Sequence, residues 1–85
     1  MMSGTHEIVA AMPGTFYLRP DPDAEPFAVE GSRVASDDVI GIIEVMKMFH
    51  ELRAGVDGTV LEFLVDDGDV IAMGSVIARV EVAGE

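Results

Sequence analysis

A chain of 85 residues makes one domain at most, and at this size only about 60–65% of the unfolded surface is buried, so the stability margin is thin. With no cysteine there is no disulfide and no thiolate to bind metal or attack a substrate; the fold must rest on a core that the 49% apolar content makes feasible. A net charge of −11 argues against nucleic acid and against an anionic membrane surface, both of which require clustered Lys and Arg, and suits a protein that meets basic partners.

No apolar run nears the roughly 18 residues of a membrane span. The longest here, Val39 to Ile43, is stopped by Glu44. The start, Met1-Met2-Ser3-Gly4-Thr5-His6, has neither a basic region nor an apolar one, so no signal peptide is visible and a cytoplasmic location is expected.

No segment carries a helical period. Apolar residues come in short runs rich in Val, Ile and Phe, broken about every eight to twelve residues by Gly, Pro and Asp, the pattern of an all-β sandwich or barrel. In chain order, strands are predicted near Glu7–Ala11, Thr15–Tyr17, Phe27–Glu30, Val39–Val45, Met48–Ala54, Thr59–Leu64 and Val76–Val82, with shorter pieces near Arg33–Val34 and Val70–Ile71. The domain is therefore expected over residues 7–82, with short tails at 1–6 and 83–85. Pro13-Gly14 and Asp57-Gly58 read as turns, because Pro fixes φ and Gly tolerates positive φ.

The chain contains a hidden repeat. Gly31, Val34, Val39-Ile40, Ile43 and Glu44 recur 37 positions later as Gly68, Ile71, Val76-Ile77, Val80 and Glu81, and Asp37 falls where the second copy has Gly74. Pro13-Gly14-Thr15 recurs as Asp57-Gly58-Thr59, but 44 positions later. Two half-domains of similar plan, each too small to bury a core, are expected to wrap around a shared one. The mismatch between the shifts places an insertion of seven residues in the first half, within residues 18–27. That stretch holds three of the four prolines, which fix φ and remove N–H donors, so it should protrude rather than pair as a strand. On physical grounds alone it is either an ordinary acidic surface loop or a dedicated protrusion.

Between the halves lies Ile42-Ile43-Glu44-Val45-Met46-Lys47-Met48-Phe49-His50-Glu51-Leu52. If its two half-apolar runs are strands, Lys47 sits at the turn between them with its amine in water. Lys47 is the only lysine, so the chain offers a single side-chain amine for acylation. A lone turn lysine is ordinarily a solvated charge. The repeat, the insertion and the flanking residues favour a carrier instead.

Those residues bear a resemblance. Glu44-Val45-Met46-Lys47-Met48 resembles the Glu-Ala-Met-Lys-Met attachment motif of biotinyl domains. Pro13-Gly14-Thr15-Phe16-Tyr17, followed by Pro20-Asp21-Pro22-Asp23-Ala24-Glu25-Pro26-Phe27, is similar to the biotin carboxyl carrier proteins of bacterial-type acetyl-CoA carboxylase, in which this insertion forms a "thumb". The resemblance implies a flattened β-barrel of two four-stranded antiparallel sheets with quasi-two-fold symmetry. It implies biotin joined to the Nζ of Lys47 by a biotin protein ligase, with Glu44, Val45, Met46 and Met48 recognised around the site. It further implies two enzymes as partners: a biotin carboxylase, which uses ATP and bicarbonate, and a carboxyltransferase that delivers the carboxyl to acetyl-CoA, giving malonyl-CoA for fatty acid synthesis. The chain itself is then a non-catalytic carrier. The thumb, Arg19 to Phe27, is expected to contact the biotin rings and limit where the arm rests.

Three positions depart from the family pattern. Val45 stands for the usual Ala, which bears on ligase efficiency; His50 stands where Asn is common; Asp37 fills a usual Gly turn position, and because Asp can enter the left-handed region that turn can survive. Full-length carriers often have a Pro/Ala-rich linker before the domain, so the chain reads as either a natural short carrier or a trimmed one.

Lysine amines are almost wholly protonated near neutral pH, so the activated acyl group and help in removing the proton must come from a ligase. Met46 and Met48 have two compatible readings: flexible cover for the barrel end, or recognition by partners. His6 and His50, far apart in sequence and without cysteine, give no metal-ligand spacing. Asp66-Asp67-Gly68-Asp69 lacks the calcium-loop spacing and reads as a solvated turn. Phe16, Tyr17, Phe27, Phe49 and Phe63, without basic neighbours, read as core or edge packing. The alternatives are a carrier for another biotin-dependent carboxylase or decarboxylase, a lipoyl carrier (whose attachment motif usually reads Asp-Lys-Ala) and an unmodified binding module.

Overall fold

A computed structural model describes residues 4–83, and among them there are eight strands and no helix. The strands are β1 (Thr5–Val9), β2 (Gly14–Tyr17), β3 (Arg33–Val34), β4 (Val39–Val45), β5 (Met48–Arg53), β6 (Gly58–Phe63), β7 (Val70–Ile71) and β8 (Val76–Val82). They form two antiparallel four-stranded sheets, in the orders β1-β8-β6-β3 and β5-β4-β2-β7. The all-β architecture is the one expected from the strand pattern, and the two four-stranded antiparallel sheets are those the resemblance implies. Strands β3, β4, β7 and β8 fall on the predicted bounds, and the others shift by one or two residues.

The repeat becomes a quasi-dyad. Strands β1 to β4 map onto β5 to β8, and this exchange turns one sheet order into the other. Hydrogen bonds follow the same mapping. Gly31 N–H donates to Val60 O and Gly68 N–H to Phe16 O; Ala54 N–H donates to Asp38 O and Ala10 N–H to Ser75 O. Side chains cap the twin turns alike: Ser32 Oγ accepts from Val29 N–H and Asp69 Oδ2 from Asp66 N–H. His6 and His50, remote in sequence, occupy twin positions opposite Val80 and Ile43.

The core lies between the sheets and draws on both halves, with Phe16, Ile40, Val60, Ile77 and Val80 wholly buried. Twin bulges feed it. The pairing of β4 with β5 slips between Val39 and Gly41, and that of β1 with β8 slips at the corresponding place, so Ile40 and Ile77 are extra residues turned inward at 0% exposure. Side-chain volume is traded across the dyad. Phe16 occupies the space a Cβ at Gly41 would need, whereas the twin pair is Val60 and Ala78.

Several expectations are corrected. No strand forms over Phe27–Glu30. In the second half Leu64 N–H donates to Ile77 O and continues the sheet, but its twin Phe27 donates to Leu18 O and closes the insertion instead. The predicted tail of residues 1–6 is too long, because Thr5 and His6 belong to β1; residues 1–3 lie outside the described residues. At the other end Ala83 follows β8 and donates to Asp57 O, and 84–85 lie outside the described residues. Asp37 does not take the positive φ of its twin Gly74 (86°). That turn holds without it, through Asp38 Oδ2 accepting from Ala35 N–H. Gly14 and Gly58 also lack positive φ; they open β2 and β6, where a Cβ would press on the backbone oxygens of Glu44 and Glu81. Small size, rather than turn freedom, is what those two positions use.

Candidate functional site

Strands β4 and β5 pair from Val39↔Arg53 to Val45↔Met48, so only Met46 and Lys47 cross between them. Their φ values are 51° and 69°. A two-residue link with both central φ positive is a type I′ turn, the form whose twist matches a right-handed strand pair. Asn-Gly is the usual solution; among the described residues Met46 and Lys47 are the only non-glycines with positive φ. Each such residue costs about 1–2 kcal/mol. The register sets the tip against that cost. A slip of one residue would turn Ile43, 2% exposed, out of the core.

The tip stands in solvent. Met46 is 91% exposed, Lys47 is exposed, and Met48 and Phe49 are about two-thirds exposed. Among the described residues no carboxylate lies within ion-pair distance of the Lys47 amine. Val45 packs against the core edge, over the bare backbone of Gly14, so its extra bulk relative to Ala is directed inward. Glu44 lies on the outer face of β4, opposite Phe49. The Tyr17 phenol shares the cleft wall with the Glu44 carboxylate. Partial burial first, then the charge and hydrogen-bonding influence of Glu44, with the charge of Asp67 adding to them, hold the Tyr17 hydroxyl above its ordinary phenol range.

The insertion is braced from within. Phe27 N–H donates to Leu18 O at its base (2.9 Å), Ala24 N–H to Asp21 O (3.1 Å), Asp23 N–H to Asp21 Oδ1 (3.0 Å) and Arg19 Nη1 to Ala24 O (3.0 Å). Leu18 N–H also donates to Asp67 Oδ1 at 2.6 Å, tying the loop to the other half of the chain. Asp67 is therefore a bracket, not merely part of a solvated turn. Between loop and sheet lies a cleft of about 330 Å³, walled by Arg19, Pro20, Asp21 and Pro22 on one side and by Tyr17, Ile42, Glu44, Phe49 and Asp67 on the other. Asp23, Ala24, Glu25, Pro26 and Phe27 are not among its walls; the first two and Phe27 close the loop.

Sequence reasoning placed Lys47, Glu44, Met46 and Met48 together and set the loop apart. It missed Tyr17, Ile42, Phe49 and Asp67 as cleft walls and read Phe49 as packing. The hairpin register carried the missing signal: Ile42 shares the face of Glu44 on β4, and Phe49 pairs with Glu44. Among the described residues no cluster of three or more His, Asp or Glu is placed to hold a metal ion.

The structure is a quasi-symmetric β-barrel whose one lysine is exposed on a positive-φ hairpin tip at the end of a cleft. The family described as "Biotin-requiring enzyme" matches residues 6–80, and the chain belongs to it. Among its relatives, the biotin carboxyl carrier protein of acetyl-CoA carboxylase from Chlamydia trachomatis is 41% identical over 73 residues, covering 86% of this chain and 44% of that protein. Those of Pyropia yezoensis and a Nostoc species are 39% and 35% identical, covering 87% and 88% of this chain and 47% and 41% of theirs. The chain thus spans less than half the length of these relatives. Among solved structures, a single-chain, multi-domain long-chain acyl-CoA carboxylase shares the fold over the whole chain and 8% of its own, with a TM-score of 0.80 at 22% identity. The urea carboxylase of Kluyveromyces lactis matches 94% of this chain and 6% of its own, with a TM-score of 0.75 at 25% identity.

Tyr17 is the only tyrosine, so ultraviolet absorbance of the phenolate reads this one group. Because its folded value lies above the unfolded one, neutral Tyr17 contributes stability that is present below about pH 10 and lost as pH rises through the folded value. The expected titration midpoint lies above the ordinary phenol value, and Glu44→Gln should bring it down. A wild-type midpoint at or below the ordinary value contradicts the Tyr17–Glu44 contact.

Proposed function

We propose that this domain is a biotin carrier: biotin is joined by an amide to Nζ of Lys47, and the domain presents it in turn to the enzymes that load and unload it. One observation carries the reading. The only side-chain amine in the chain projects from a Met-Lys-Met turn whose backbone is held in a costly conformation by the strands beneath it. An ordinary surface charge needs no such turn. Membership of the biotin-requiring family supports the same site.

The residues present fit the group. The amine is exposed and unpaired, so an activated acyl group has access to it. The acyl–amide product removes the lysine's charge at a place where no carboxylate depends on it. When bound, biotin supplies a nitrogen that accepts and releases a carboxyl group. What the chain adds is position. Tethering makes delivery to either partner a local event with an effective concentration set by reach. Glu44 and Phe49 bring the end of the cleft to the foot of the hairpin, and Arg19 to Pro22 form its far wall. A resting place for the rings between this wall and Phe49 would keep the arm out of water between visits.

The likeness to the carriers of acetyl-CoA carboxylase, at 35–41% identity, extends the proposal to the larger assembly. Its partners are then a biotin protein ligase, a biotin carboxylase and a carboxyltransferase, and the product is malonyl-CoA.

Expressed with a biotin protein ligase, the wild type should bind streptavidin and gain the mass of one biotinyl group on Lys47. Lys47→Arg should abolish the label with the fold intact; biotin found on that variant by mass spectrometry would refute the assignment. Deleting residues 19–26 should change carboxylation kinetics more than thermal stability, because that loop adds no strand to either sheet. Unchanged kinetics would remove the loop from the mechanism.

A further inference from the structure

The quasi-dyad supplies an internal control, because each residue around Lys47 has a twin at the opposite end of the barrel. Strand β1 ends beside Val76, and Ala10 N–H then bonds Ser75 O. From there the chain reaches Gly14, next to Glu44 and Val45, so the start of β8 lies at the lysine end and the start of β1 at the far end. Comparing the two ends position by position isolates what the fold does not require.

Methionine separates them. All four methionines among the described residues, Met12, Met46, Met48 and Met73, lie at the lysine end. Their twin positions carry Val56, Ala83, Gly4 and Ser36. Met73 is the informative one, since nothing in the attachment motif accounts for it. It is 70% exposed, in the loop between β7 and β8, next to Gly74, whose N–H donates to Ala10 O. Val70, on the edge strand β7, is 85% exposed, and its twin on β3 is Arg33. Neither Val70 nor Met73 fills the core, and in both cases an exposed polar residue of the far end is replaced by an exposed apolar one here.

The register places Val70 at the lysine end of its sheet, and the bond from Gly74 to Ala10 O places Met73 at that end too. Val70 pairs with Thr15, and Thr15 pairs with Glu44, so Val70 lies two strands from β4, about 10 Å at the usual strand spacing. Met48, on β5, stands at the other edge of the same sheet, so β4 and β2 separate it from Val70 at the lysine end. Acidic groups flank this end: Glu44 on β4, and Asp69 immediately before Val70. Arg19, in the insertion, is engaged with Ala24 O, and Arg53 lies at the opposite end of β5, bonded to Glu51 and Asp37 O.

We infer that Val70 and Met73 extend the recognition surface of Lys47 to the edge strand β7, and that the enzyme acylating Lys47 docks there through an apolar ledge bordered by Lys or Arg. This rests on the carrier reading, which requires such an enzyme to enclose the tip. Unbranched, polarizable methionines adapt to more than one mating shape, which suits a site that must enter several active sites in turn. The carboxylates speed the encounter without fixing the docked geometry.

The test transplants the far-end residues. Val70→Arg combined with Met73→Ser gives the edge that β3 already carries in the same architecture; Arg33→Val combined with Ser36→Met is the reciprocal control. Kinetics are measured with a purified bacterial biotin protein ligase, biotin and ATP. The first pair should raise KM for the domain about tenfold with kcat within about twofold, as loss of interface anchors does. The reciprocal pair should leave both constants unchanged. Met73→Leu, which keeps an apolar contact, should match the wild type, and the single Met73→Ser, at an exposed loop position, should still raise KM if the double variant folds poorly. Wild-type KM should also rise with ionic strength. An unchanged KM in the folded transplanted variant, an equal loss in Met73→Leu, or a salt-independent KM overturns the inference while leaving the carrier reading in place. Failure of the wild type to be labelled at all overturns the carrier reading itself.

Discussion

Two residues join β4 to β5, and that link dictates the conformation of everything at the tip. A two-residue link is the tightest of the common hairpin connections, and the type I′ form taken here has positive φ at both positions. Met46 and Lys47 accept this although neither side chain favours it. The strands hold them there. Ile43 in β4 and the extra buried Ile40 anchor one side, while Leu52 in β5, partly buried against the core, anchors the other. Strain at the tip is thus maintained by burial below it, a local cost set against a distributed gain.

The two-fold plan explains how so short a chain supports that hairpin. Each half supplies two strands to each sheet, so neither half can collapse without the other. Twin bulges send Ile40 and Ile77 into one core, and the exchange of Phe16 and Gly41 for Val60 and Ala78 keeps it filled while breaking exact symmetry. Departures from symmetry on the surface are larger. The seven-residue insertion exists in the first half alone, and Ile42 on the outer face of β4 stands where β8 carries Arg79, bonded to Glu62 and near Glu7. One end of a nearly symmetric object has been made apolar and one face clefted; at the place of Ile42 the other face carries Arg79 in ion pairs with Glu62 and Glu7. Such exposed ion pairs add little to stability, so the difference concerns what each face meets rather than how firmly the domain folds.

Much of this was legible in the sequence because it depends on spacing. The shifts of 37 and 44 are chain distances, so the repeat, the insertion and the position of Lys47 between the halves could be read directly. The two seven-residue strands, β4 and β8, fell on their predicted bounds because turn residues flank both. What was not legible depends on partners remote in sequence. Phe27–Glu30 has the composition of a strand, but its first N–H is taken by Leu18. Gly14 and Gly58 look like flexible turn residues and are instead sites of close approach, known only once Glu44 and Glu81 are placed beside them. The run Val39 to Ile43 gives no alternation that would reveal the bulge at Ile40. Asp67 and Tyr17 join the cleft through contacts 49 and 27 residues away in the chain, to Leu18 and Glu44 respectively.

The most direct measurement compares acylation of Lys47 in the folded domain with acylation of a linear peptide of residues 39–53, which contains the same motif and both strands of the hairpin. An isolated two-stranded hairpin is marginal in water, so the peptide keeps the sequence and loses the held turn; its kcat/KM with a biotin protein ligase is expected to fall at least about 100-fold. Equal labelling of peptide and domain would show that the motif alone suffices and that the strained turn held by the barrel has no part in presenting the amine.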